Sequence, residues 1–319
     1  MFRTALACLA LTATLLAAPT PATALTAADA TDLARRAATL DETAPDDTSA
    51  PGAFAVGTTD VTVTVARRSF GAKVWYPAAS AGANRPVADG AFGVVAFGHG
   101  FLQSVGRYAS TLSHLASWGF VVAAPTSQGG LAPDHSAFAD DLNATLTWFV
   151  DQGTTPGSRF ANHVDPAALA LSGHSMGGGA SVLAAVRNRN VRTVANLAAA
   201  ETNPSAKTAA ANLPMAAMLV AGDHDTIAPP ADNQIPIYQA KPAPKQLRTI
   251  LGGCHCGFMD SGTLFCDSGS IDRAVQLKLT RRLLTDWFLY TLSGDTSRYD
   301  AVWGIQAQND PQIRFEGAR

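Results

Sequence analysis

Gly173-His174-Ser175-Met176-Gly177 carries the pattern G-x-S-x-G, in which a serine sits at the tip of a sharp turn between a strand and a helix. That turn strains the serine backbone, and side chains on the flanking residues would collide as strand and helix close on each other, so glycines are required. The serine Oγ is left exposed. The next amide, Met176 N–H, opens a helix, where free N–H groups and the helix dipole favour a developing oxyanion. A neutral serine hydroxyl is a poor nucleophile and needs a base, which in turn needs a carboxylate to orient it. Of the seven histidines, His224 and His255 follow Ser175. An elbow serine finds its acid and then its histidine further along the chain. His224 lies directly against the candidate acids, with no acid-bearing strand between it and the serine. His255 follows a further strand, in the loop Gly252-Gly253-Cys254-His255-Cys256-Gly257, and is the expected base. Asp223 and Asp225 both qualify as the acid.

These residues need a scaffold of alternating strands and helices. Residues 61–65 alternate apolar and polar side chains, the mark of a half-buried strand, and 71–77 read as its hairpin partner. Residues 92–97 and 120–125 are continuous apolar runs, as expected of strands buried on both faces of a parallel sheet. Residues 108–118 and 134–150 have apolar side chains at helical spacing. Strands are expected before Ser175, within 191–200 and within 214–222, and 246–251 is the last clear one. A long helix with a pronounced apolar face spans 271–292. This alternation predicts a doubly wound, mostly parallel α/β sheet. His99, in Gly98-His99-Gly100-Phe101, reads as a packed residue that orders its loop.

The chain has 319 residues and a net charge of -2, with 23 basic against 25 acidic residues. That balance gives no electrostatic reason to expect nucleic acid or an anionic membrane as a partner. Residues 1–24 read as a signal peptide: Arg3, then a weakly apolar stretch over 5–18, then Ala22-Thr23-Ala24 as a small-x-small cleavage site. The apolar stretch is too short for a spanning helix, so export is expected. Residues 25–52 are expected to be a leader and linker, with a possible helix at 27–40 and a flexible stretch at 41–51. Residues 53–319 are expected to form one catalytic domain, a monomer. Of the four cysteines, Cys8 leaves with the signal peptide. In an oxidising compartment one pair among Cys254, Cys256 and Cys266 is expected to bridge. Cys256–Cys266 is preferred, with Cys254–Cys266 as the alternative; closing a loop of about ten residues contributes ~2–3 kcal/mol. A metal site at Cys-x-Cys would lack further ligands.

Taken together, Gly173-His174-Ser175-Met176-Gly177-Gly178-Gly179, Asp225-Thr226-Ile227-Ala228-Pro229, Pro236-Ile237-Tyr238 and Gly252-Gly253-Cys254-His255 resemble, in order and spacing, the elbow, acid and base segments of bacterial cutinases and polyester hydrolases of the α/β-hydrolase superfamily. The resemblance covers residues 61–292. It implies an α/β-hydrolase fold with helices on both faces of the sheet, and a secreted serine esterase acting on a small-molecule or polymeric ester without an organic cofactor. The family's turn, with glycine, two residues, aspartate and a nearby proline, selects Asp225 over Asp223. The implied triad is Ser175, Asp225 and His255. The implied oxyanion donors are the Phe101 and Met176 amides, whose side chains would also wall the acyl site. The same triad serves acyltransferases and peptidases. Three features depart from the polyester hydrolases, one of them the cysteine placement around His255, which changes the local staple. His99-Gly100 stands where they more often carry proline-glycine, and looks more like chlorophyllase-type esterases. Glu201 stands where they usually hold the substrate ring with an aromatic, which makes it the expected polar contact to substrate.

Overall fold

The computed structural model describes residues 47–319. The expected signal peptide, the possible helix at 27–40 and most of the expected linker lie outside the described residues. Among the described residues, ten strands form one sheet: β1 (Ala55–Val65), β2 (Arg68–Ala78), β3 (Gly82–Ala83), β4 (Phe92–Gly98), β5 (Phe120–Pro125), β6 (Val164–His174), β7 (Val191–Leu197), β8 (Ala216–Gly222), β9 (Lys245–Ile250) and β10 (Ile313–Ala318). Their order across the sheet is β10-β9-β8-β7-β6-β4-β5-β2-β1-β3. The central run from β9 to β5 is parallel, while β2 and β10 pair antiparallel at its two borders.

The apolar runs form central strands because both of their faces are covered. On one face, Phe138, Leu142, Leu146 and Phe149 of α2 (His135–Thr154) pack on Val94, Ala96 and Val121. On the other, Leu112 and Leu115 of α1 (Ala109–Ser117) and Leu283 and Trp287 of α6 (Arg273–Thr291) pack on Val95, Phe97 and Val122. Each fully buried side chain of this size stabilises the fold by roughly 2 kcal/mol. Asp134 caps α2, its carboxylate accepting from Ala137 N–H at 2.9 Å. Three further helices complete the part of the chain that matters for the site: α3 (Met176–Ala185), α4 (Ala206–Ala210) and α5 (Gln234–Ala240).

Two expectations need correction. Residues 246–251 do not hold the last strand: β10 pairs antiparallel with β9, Ile313 opposite Ile250. Its apolar alternation is confined to Ile313 and Phe315, too short to stand out, and Phe315 is covered by the Arg248 guanidinium 4.4 Å from its ring. The end of the expected linker is also held firmly. His114 Nε2–H donates to Thr48 O at 2.9 Å, Trp118 Nε1–H to Ala50 O at 2.9 Å, and Gly52 N–H to Ser117 Oγ at 2.8 Å. Backbone groups make these contacts, so the Ala- and Thr-rich sequence carries no periodic sign of them.

The strand order also fixes where loops converge. β4 lies between β5 and β6, and Gly98 is paired with Gly173 at their carboxyl ends. β8 and β9 end side by side, Gly222 opposite Ile250. Ligands of open parallel sheets bind outside carboxyl ends of this kind, at the point where the strand order reverses.

Candidate active site

Ser175 has φ 54° and ψ -121°, a conformation rare for any residue with a side chain. The surrounding backbone over-determines it. Ser175 N–H donates to Leu197 O at 3.0 Å, while Ser175 O accepts from Gly179 N–H at 3.1 Å and Ala200 N–H at 3.0 Å. Strain of this kind costs of order 1–3 kcal/mol and persists where its neighbours enforce it. The first turn of α3 passes so close to the end of β4 that a Cβ on Gly177 would collide with the Gly98 carbonyl. The same approach sets the loop after β4 against the elbow. In that loop Phe101 is about half exposed, whereas the Met176 side chain is buried. Met176 N–H, first in its helix, has no acceptor one turn back.

Asp225 follows β8, and its buried carboxylate is fully engaged. Oδ1 accepts from Ile227 N–H at 3.0 Å and Ala228 N–H at 2.7 Å, and Oδ2 accepts from His255 Nδ1–H at 2.7 Å. Bonded in this way, the carboxylate fixes the His255 tautomer and leaves Nε2 free to take a proton. Asp223 is turned elsewhere and accepts from Gly252 N–H at 2.6 Å, and the His224 side chain is half exposed. The His255 ring lies 4.5 Å, centroid to centroid, from that of His174, the residue immediately before Ser175.

The loop carrying His255 is fastened by three side chains the sequence did not single out. Asp267 accepts from His255 N–H at 2.8 Å and Cys256 N–H at 3.0 Å, and also from Thr226 N–H at 3.2 Å on the acid loop. Gln276 brackets the Cys254 peptide, accepting from its N–H at 3.0 Å and donating to its O at 2.7 Å. Arg273 donates to Cys256 O and Met259 O. Cys256 and Cys266 form a disulfide with Cα atoms 5.6 Å apart, and Cys254 is a free, buried thiol. Asp267 is thereby tied to the residue next to His255.

The sequence model of a family described as PET hydrolase-like matches residues 37–269, well over half of the chain. The chain belongs to that family. Ser175, Asp225 and His255 all fall inside the matched residues of this PET hydrolase-like chain. It is 28% identical to cutinase est1 of Thermobifida alba over 158 residues, 50% of this chain and 51% of that protein. It is 27% identical over 192 residues both to a cutinase of Thermobifida fusca (60% of this chain, 58% of that protein) and to a bis(hydroxyethyl) terephthalate hydrolase of Streptomyces coelicolor (60% and 56%). The chain thus spans about half the length of the curated relatives it matches. The mostly parallel sheet with helices on both faces is the α/β-hydrolase fold of this PET hydrolase-like family.

Other predicted positions are also located. The exposed Glu201 carboxylate accepts from Lys207 N–H at 2.9 Å in the first turn of α4. His99 is buried and packs on Phe138, with ring centroids 4.9 Å apart. Among the described residues, no cluster of three or more His, Cys, Asp or Glu is arranged to hold a metal ion, and no helix is long and apolar enough to cross a membrane.

Proposed function

We propose that this chain is a secreted serine carboxylic-ester hydrolase working through an acyl-enzyme on Ser175. The observation that carries the reading is the buried 2.7 Å bond from His255 Nδ1 to Asp225, with the His255 ring 4.5 Å from that of His174, the chain neighbour of a serine held at positive φ. Ser175 Oγ attacks the ester carbonyl as its proton passes to His255 Nε2. The carbonyl oxygen becomes an oxyanion facing the Phe101 and Met176 amides, each worth on the order of 3 kcal/mol of barrier. The C–O bond then breaks and the leaving alcohol takes the proton back from His255. Water, deprotonated by the same imidazole, attacks the acyl-enzyme; the acyl–Oγ bond breaks, Ser175 Oγ takes the proton back from His255, and the acid is released. Asp225 holds the imidazole tautomer and stabilises the imidazolium.

Cutinase and bis(hydroxyethyl) terephthalate hydrolase among the relatives support a carboxylic ester, small or polymeric, as the substrate. Phe101 and Met176 form the apolar wall for the acyl part, and Glu201 supplies a polar contact at the rim. The disulfide supports an oxidising compartment and hence export. Ser175→Ala is expected to abolish p-nitrophenyl ester turnover and labelling by a fluorophosphonate probe, with an unchanged melting curve. A folded variant that still turns over ester would overturn the mechanism.

A further inference from the structure

Building on the hydrolase reading above, we infer that Tyr108 is a positioning residue whose single buried hydroxyl sets the oxyanion loop, the elbow and the base loop relative to one another. Tyr108 closes the short 3-10 turn Val105–Tyr108 and is fully buried. Its hydroxyl oxygen accepts from Gly100 N–H at 3.0 Å and lies 2.9 Å from His174 Nδ1. On the far side of the same ring, His174 Nε2 lies 3.1 Å from the carbonyl oxygen of His255.

The proton positions along this line follow from the groups at its ends. A carbonyl oxygen can only accept, so His174 Nε2 carries a hydrogen. A neutral imidazole then has a bare Nδ1, which must accept. The Tyr108 hydroxyl already accepts from Gly100, and it donates its one hydrogen to Nδ1. Every donor and acceptor is satisfied, and the opposite tautomer would set a bare Nε2 against a carbonyl. His174 stays neutral because burial, and next the neighbouring His255, hold its pKa well below the usual histidine range. Burial likewise pushes the Tyr108 hydroxyl up, so it keeps its proton.

What the relay touches gives it a function. Gly100 N–H lies one peptide before Phe101 N–H, the proposed oxyanion donor, so anchoring Gly100 sets the direction of the next amide. His174 is bonded directly to Ser175, and the His255 carbonyl belongs to the proposed base itself. An error of about 1 Å in any of the three loops is enough to cost catalysis heavily. A tyrosine that only filled the core would contribute through its ring and would hand all of that role to phenylalanine.

Two measurements on the full chain test this. In a spectrum of protein carrying nitrogen-15 histidine, the His174 ring is expected to be neutral, with Nε2 protonated and Nδ1 bare, near pH 6. A protonated Nδ1 overturns the relay. Tyr108→Phe is expected to lower kcat for a p-nitrophenyl ester by about tenfold, the scale of one lost buried hydrogen bond. KM should stay within about twofold and the melting temperature within a few degrees. A folded Tyr108→Phe with wild-type kcat overturns the inference, as does a loss that merely follows the unfolded fraction. If the variant does not fold, the histidine spectrum of the unaltered chain decides. The two readings fail separately: turnover surviving in Ser175→Ala sinks the hydrolase assignment, whereas an inactive Ser175→Ala beside an unimpaired Tyr108→Phe sinks only the role of Tyr108.

Discussion

The peptide groups of Ser175 itself are held by main-chain partners, while the loop carrying His255 adds side chains from further along the chain to its main-chain bonds. At the elbow, Leu197, Ala200 and Gly179 contribute main-chain groups, and glycines allow strand, helix and neighbouring loop to approach without side chains between them. At the base loop, Asp267, Gln276 and Arg273 reach in to bind the peptides around Cys254, His255 and Cys256. The two constructions suit the work proposed for each end. A nucleophile needs a rigid, strained position, which main-chain contacts impose. A base must keep its ring on a partner carboxylate, and a fastened loop suffices for that. Added bulk is excluded by close backbone approach at both places, and the comparison implies that the base loop depends in addition on particular functional groups.

The largest effect is expected at Gly177. A methyl group there would meet the Gly98 carbonyl, and neither the end of β4 nor the first turn of α3 can give way without moving the other. Gly177→Ala is expected to destabilise the protein by ~3 kcal/mol or more and to remove activity, as measured by denaturant unfolding and ester turnover. A stable, active Gly177→Ala would break the contrast at its stronger end.

A smaller effect is expected at Asp267. Asp267→Asn keeps the size of the side chain but loses the charge-assisted bonds to His255, Cys256 and Thr226. The expected outcome is a fall in kcat of about tenfold, equivalent to ~1.4 kcal/mol, in a chain that still folds. Unchanged kinetics would mean that the disulfide, Gln276 and Arg273 hold His255 without it.

This contrast also explains what could be read from sequence. Contacts made by backbone require particular residue types, so the elbow announces itself as glycines around a serine, and central strands announce themselves as apolar runs such as that of β5. Contacts made by a lone polar side chain leave no pattern. Tyr108, Asp267 and Gln276 are each one polar residue among many, and only the fold brings them to the site. Asp223 and Asp225 were both visible as carboxylates after β8. Which of them faces His255 depends on the turn, where Asp225 is bent back by the Ile227 and Ala228 amides and Asp223 is taken up by Gly252. β10 escaped notice because it borders the sheet and shows only Ile313 and Phe315 in alternation.

The smallest effect concerns Cys254, the free thiol of the base loop. Burial first, and then the charge of Asp267, push this thiol above its ordinary pKa, so it is a poor nucleophile in the folded protein. It is also buried, and its own peptide groups are the ones that Gln276 brackets, so a reagent reaches it only when the loop opens. In the native chain, alkylation of Cys254 by iodoacetamide is expected to be slow at pH 8 and to quicken as pH rises toward the thiol's elevated pKa. Asp267→Asn removes one cause of that elevation and loosens the loop at the same time. Both changes act in one direction, and peptide mapping should show Cys254 labelled several-fold faster in the variant than in the parent. Equal rates would show that the loop stays closed without the carboxylate, which moves the burden of holding His255 onto Gln276 and the Cys256–Cys266 bridge.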